Sequence, residues 1–205
     1  MGDLIFKPTT GGSLKLQEDG GTDAISISPA GVSTITNAAI TAWTPPAGAI
    51  IQVVQHVSTT VTNTTAQTLT DVTGYSKAIT PSATSNKILV MMDFSMTNEA
   101  GHTLYSMHRA GGASGDGNIY IGGSSTSGAN FSGGVRNNHG GHASLRHNLI
   151  YLDSPGVTTA VTYKLQYRNL DGSGTSRFNS NNDGTTGTAG KPVEPSSITL
   201  MEVKA

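Results

Sequence analysis

The run Val161-Thr162-Tyr163-Lys164-Leu165-Gln166-Tyr167-Arg168 alternates apolar and polar residues without a break. A β-strand puts every second side chain on one face, so this period requires one buried face and one wet one. His147, Leu149 and Tyr151 repeat the period, as do Ile198 and Leu200. Lys87 to Met96 (KILVMMDFSM) is apolar on both faces at first and alternates afterwards. That is the pattern of a central strand covered on one side by a sandwich core and on the other by a neighbouring subunit. From Ala49 onward the sequence predicts an all-β sandwich, with strands at about 50–58, 67–71, 75–80, 87–96, 104–109, 118–124, 145–153, 160–168 and 196–203. Thr, Ser and Gly, with 28, 22 and 26 residues of 205, favour short strands and tight turns over helices. The stretches 110–116, 124–141 and 171–190 are rich enough in Gly, Ser and Asn to read as loops, where any strand must be short.

The opening residues have a different texture. Gly12 to Asn37 holds three short alternating runs, Leu14/Leu16, Ile25/Ile27 and Val32/Ile35, separated by Asp-Gly-Gly and Pro-Ala-Gly turn signals. Each run offers only two apolar side chains on a face, too few for a core within one chain. Either the segment is disordered or three copies wrap round an axis and pool these six residues as a trimeric stem core. The regular alternation favours the second reading, since a flexible linker has no need of Leu or Ile. Pro45-Pro46-Ala47-Gly48 forbids continuation of a strand or helix. The expected division is therefore residues 1–44 as docking segment and stem, 45–48 as junction and 49–205 as head. Trp43, beside the junction, reads as a plug at the base of the head.

Charge and composition remove several classes of function. A formal net charge of -1 gives no basic surplus for phosphates, so nucleic acid is not an expected partner. No run of 18 or so apolar residues and no basic leader with an apolar core is present, so neither membrane insertion nor signal-peptide secretion is expected. The chain has no cysteine, hence no disulfide, thiolate nucleophile or Cys-ligated metal.

The polar cluster His139, His142 and His147, with Asn137 and Asn138 beside it, is the one candidate metal site. Its spacing fits neither a helix face nor a strand face, so only a folded-back loop would join the three rings; no cofactor is expected. His102 and His108 bracket a strand, and His56 reads as a satisfied, partly buried imidazole. Asp153, in Leu-Asp-Ser-Pro, reads as a turn former, while Asp93 within its apolar strand should face solvent or pair with a cation such as Arg109 or Lys164. The carboxylates are scattered, and there is no nucleophile elbow, phosphate loop or zinc-protease motif, so no catalytic residues are assigned and an enzyme is not expected.

Three stretches together resemble a known family: GGSLKLQEDGGTDAISISPAGVSTITNA, PPAGAIIQVVQ, and the pair LDSPGVTTAVTYKLQYRN and SSITLMEVKA. They are similar to the stem-plus-head virion proteins, tail fibres or structural proteins, of phages that infect cyanobacteria and other aquatic bacteria. Residues 97–143 lie outside the likeness. The resemblance implies a homotrimer and an N-terminal end docked on other virion proteins. It also implies an intertwined β stem and a head like the tumour-necrosis-factor or C1q jelly roll. It further implies a location on the virion surface after synthesis in the host cytoplasm. Two functions follow as expectations. The fibre or appendage attaches to the host, with Tyr105, Tyr120, Phe131, Arg136 and Asn138 reading cell-surface glycans near the loops. Alternatively it is a capsid decoration, or head fibre, without receptor binding.

Overall fold

The structure is a computed structural model, and it describes residues 44–123, 130–136, 144–181 and 194–205 in full and three short strands before them as backbone. The chain forms two compact units, Met1–Thr44 and Pro45–Ala205.

In the first unit, β1 (Leu14–Gln17), β2 (Asp23–Ile27) and β3 (Ser33–Ile35) form an antiparallel sheet in sequence order. Its register sets Leu14 opposite Ile27, Leu16 opposite Ile25, and Ile25 opposite Ile35. Five of the six expected stem-core residues thus fall on paired strand positions, while Val32 and Trp43 lie outside the described residues.

The second unit contains β4 (Ile50–Ser58), β5 (Thr62–Thr64), β6 (Thr70–Ile79), β7 (Lys87–Asn98), β8 (His102–Ala110) and β9 (Gly117–Ile119). It continues with β10 (Gly133–Arg136), β11 (Leu145–Asp153), β12 (Val161–Asn169), β13 (Ser176–Phe178) and β14 (Ser196–Val203). No helix occurs among the described residues. All pairing is antiparallel, in two sheets. In the six-stranded sheet β7 is central. One edge of β7 carries β11, and the other carries β14 and β13 in tandem, with β4 beyond β14 and β5 beyond β13. In the five-stranded sheet β12 lies between β6 and β8, and the far edge of β8 carries β10 and β9 in tandem. The first and last strands of the head are neighbours, and backbone bonds from Gly48 N to Lys204 O (2.8 Å) and Lys204 N to Ala49 O (2.9 Å) extend their ladder.

The two expected strands at 67–71 and 75–80 are one strand, β6. Gly74 sits at φ 75°, a conformation that suits glycine, and the register against β12 shifts between Lys164 and Gln166. That irregularity breaks the alternation the sequence shows. The short β10 and β13 lie in segments read as loops, and β5 lies between two expected strands.

Between the sheets Ile88, Val90, Met92, Phe94, Met96, Ile198 and Leu200 meet Val72, Met107, Val161, Tyr163, Leu165 and Tyr167, all buried. Phe94 is the hub of an aromatic cluster, edge-on to Tyr105 at 5.1 Å and near Tyr75 and Phe178. Tyr75 reaches from β6 across the core, and its hydroxyl donates to the carbonyls of Ser197 and Asp93 in the opposite sheet. Burial pushes its phenol well above the ordinary tyrosine value, keeping it a neutral donor.

Candidate functional site

Alternation along each strand decides which residues are free to act. On β8 the side chains of Thr103, Tyr105, Met107 and Arg109 point inward, so Tyr105 is part of the core and not of a glycan-reading surface. Its hydroxyl lies 3.1 Å from Nδ1 of His147, whose ring stacks on Phe94 with centroids 5.6 Å apart. Two residues assigned by sequence to different sites therefore touch each other in the interior. Desolvation pushes the His147 imidazole below its ordinary value, with a partial offset from a hydrogen bond to the Met96 backbone. His139, His142 and Asn138 lie outside the described residues, and among the described residues no group of His, Cys, Asp or Glu is arranged to hold a metal.

The other assigned residues are at the surface. Tyr120 follows β9 with its backbone at φ 54°, an uncommon conformation for a bulky residue, and its ring lies 5.3 Å from that of Tyr151. Arg136 closes β10 opposite His102, which pairs through Nδ1 with the Asp171 carboxylate. That pairing, with a smaller effect of Arg136, holds Asp171 below the usual carboxylate range. His108, on the outward side of β8, contacts Asn118 Oδ1 at 3.0 Å, and Nε2 of His56 contacts the Gly74 carbonyl oxygen at 2.9 Å.

The outer faces of the two sheets are chemically unlike. On the six-stranded sheet the register aligns Val53, Met201, Leu89 and Leu152 in one row across four strands, and Gln55, Thr199, Met91 and Ile150 in the next. Ile50, Val53, Val57 and Ile150 are each 54–55% exposed, and Ile51 and Leu152 are also exposed. Isolated surface hydrophobes are ordinary, but a contiguous apolar face marks a surface built for contact. Charge enters at the two ends, with Lys87 at one and, at the other, Asp93, which pairs with Arg146 and not with Arg109 or Lys164.

The five-stranded sheet turns Thr162, Lys164, Gln166 and Arg168 of β12 outward. Lys164 and Gln166 both bond the Asp71 carboxylate at 2.7 Å; desolvation pushes that group up, and these bonds outweigh it and hold it low. At one end of this face a recess of about 370 Å³ is lined by Thr68, Leu69, Asn118, Asn130, Phe131 and Arg168. The guanidinium of Arg168 lies over the Phe131 ring, 4.8 Å from its centroid. Backbone bonds from Gly122 to Phe131 and from Ser132 to Tyr105 fix the Phe131 segment against β8. Ser132 Oγ accepts from Met107 N and donates to the Ile119 carbonyl, filling the gap between β9 and β10.

Two polar clusters were not anticipated. Asp153 is buried, not a turn former: Arg109 Nη1 donates to both carboxylate oxygens at 3.0 Å, and Tyr163 donates at 2.7 Å. Glu202 is also buried, and its Oε1 accepts from Ser82 N, Ser82 Oγ and Asn86 Nδ2 at 2.6–2.8 Å. Desolvation pushes Glu202 up, and these three bonds more than compensate, holding it below the ordinary glutamate value. No protein-family model matches the chain, and no curated protein matches its sequence.

Proposed function

We propose that this chain is a structural protein of a bacteriophage particle, a homotrimeric fibre or appendage that projects from the virion and attaches it to the host surface. Residues 1–44 dock on other virion proteins and intertwine as a β stem, residues 45–48 form the junction, and residues 49–205 form the head. We read the head as a jelly roll of the tumour-necrosis-factor and C1q kind. The strand orders β4-β14-β7-β11 and β6-β12-β8-β10, with the first strand beside the last, support that reading.

The observation that carries the trimer is the apolar outer face of the six-stranded sheet, set against the polar face of the other. A second copy is the occupant that suits it best, because a cyclic assembly can turn the apolar face of every chain toward a common axis and leave the polar faces outward. The paired Leu and Ile positions of β1 to β3 make the same demand on the stem. The role is mechanical and adhesive; no chemical step is assigned to the chain. Sedimentation equilibrium of the full-length protein is expected to give three times the chain mass. A folded monomer at micromolar concentration would refute the assembly, and immunolabelled particles bearing no label would refute the virion location. Attachment is preferred over decoration of the capsid because the polar face carries a shaped recess.

A further inference from the structure

The recess on the five-stranded sheet combines features that the assembly of the head does not use. It is assembled from four separate segments: Thr68 and Leu69 ahead of β6, Asn118 in β9, Asn130 and Phe131 ahead of β10, and Arg168 near the end of β12. Its volume of about 370 Å³ falls within the ~300–1,000 Å³ typical of small-ligand sites. It lies toward the pole of the head opposite the entry at Gly48, since Arg168 is one residue from the end of β12 that pairs with the start of β8.

The donors and acceptors around it are only partly used. Arg168 Nη1 donates to the Gln67 carbonyl at 3.2 Å, Nε has no protein acceptor, and the guanidinium makes no ion pair among the described residues. Ring contact with Phe131 holds its plane in place at a fixed orientation. Asn118 Oδ1 is occupied by His108, which leaves its amide hydrogens as donors, and the buried Asn130 Oδ1 has no donor among the described residues. A positioned, unpaired guanidinium calls for a planar anion, because its fork matches a carboxylate with two parallel bonds. Two carboxamides and the Thr68 hydroxyl around one cation suit a ring bearing several hydroxyls. A lone cation is weak provision for a phosphate-rich ligand.

We propose that this recess binds an acidic saccharide, with the sugar carboxylate on Arg168 and the ring hydroxyls on Asn118, Asn130 and Thr68. The site deepens the attachment reading and rests on it only for the sugar's source, a cell surface or a shed polysaccharide.

Isothermal titration of the full-length protein with trigalacturonic acid, against maltotriose as the uncharged control, tests the assignment. Saturable binding of trigalacturonate is expected, with maltotriose weaker by about tenfold or more, the share of one charge-assisted contact. The Arg168→Gln variant should bind trigalacturonate no better than maltotriose. Its sedimentation mass should not change, so a failure of the trimer and a failure of the site are read separately. Equal affinity for the two sugars, unaltered binding by Arg168→Gln, or no saturation by trigalacturonate at millimolar concentration would each overturn the site. Competition by inorganic phosphate as strong as by trigalacturonate would reduce it to a plain anion site and overturn the saccharide. Should the variant not fold, the Arg168 Nε-H resonance of the unaltered protein gives a second test: it must shift with trigalacturonate and stay in place with maltotriose.

Discussion

Arg109 and Asp153 join the two sheets of the head from inside, one Nη1 atom lying 3.0 Å from both oxygens of the carboxylate. β8 and β11 share no backbone ladder, so this ion pair, with Tyr163 from β12 on the same carboxylate, is a polar rivet between the two sheets. Leaving either charge buried alone is costly, whereas removing both is not. Asp153→Asn or Arg109→Met alone should destabilise the head by roughly 3–5 kcal/mol. The double variant Arg109→Met/Asp153→Leu should lose far less than the sum of the two single losses. Equilibrium urea unfolding of the three variants measures the difference, and strictly additive losses would argue against the pair.

Stability should depend on pH in two separate windows. His147 is held below its ordinary value of 6.5, so the unfolded chain takes up the proton first. Its contribution is complete above about 6.5 and is lost as pH falls toward the lowered value. Glu202 is held below its ordinary 4.5, so its share is complete above 4.5 and is lost as pH falls through its own depressed value. Thermal unfolding midpoints should therefore fall in two steps on acidification, and His147→Gln should remove the upper step alone. A single step that this variant leaves unchanged would contradict the assignment.

Val53 and Leu152 stand in one lateral row of the six-stranded sheet, separated by Met201 and Leu89. If the heads associate through this face as proposed, Val53→Lys/Leu152→Lys should lower the assembled mass with an unaltered circular dichroism spectrum, since both side chains are exposed within one chain. Light scattering behind size exclusion reads the mass, and a surviving trimer would place the contact elsewhere.

Gly111 has φ 89°, and an added Cβ there would stand 2.8 Å from the Ala160 carbonyl oxygen. Strain and a close approach act together, so Gly111→Ala should cost more than about 1 kcal/mol in urea unfolding. Gly115→Ala, at φ 78° with open space around it, should lose less.

Strands with four or more alternating positions were legible in the sequence because burial on one face writes itself directly into the residue order. β12 and β14 are such cases, and the outward Leu89 and Met91 of β7 signalled the second apolar face. The three- and four-residue strands β5, β10 and β13 have no such record: Thr-Asn-Thr, Gly-Gly-Val-Arg and Ser-Arg-Phe pair because a longer neighbour offers its edge. Nearness in sequence to the loops points Tyr105 to the surface, and the structure buries it. Its side is set by strand parity, with Met107 and Arg109 facing the same way. Asp153 has the local setting of a turn, and nothing near it announces Arg109, which is 44 residues away. The recess was half visible, through Phe131, while Arg168 and Asn118 join it only once β8 brings β9 and β12 to its two edges.

The pairing of β4 with β14 has a mechanical meaning. Antiparallel hydrogen bonds run across the strands, so a pull along Ile50–Ser58 from the Pro45-Pro46 side strains the rungs against β14 together and not one after another. The strand through which tension enters the head is thus gripped along its length by the strand that closes the sequence. In the fibre proposed above, a tug on the tether would load this ladder in shear, all of its rungs at once.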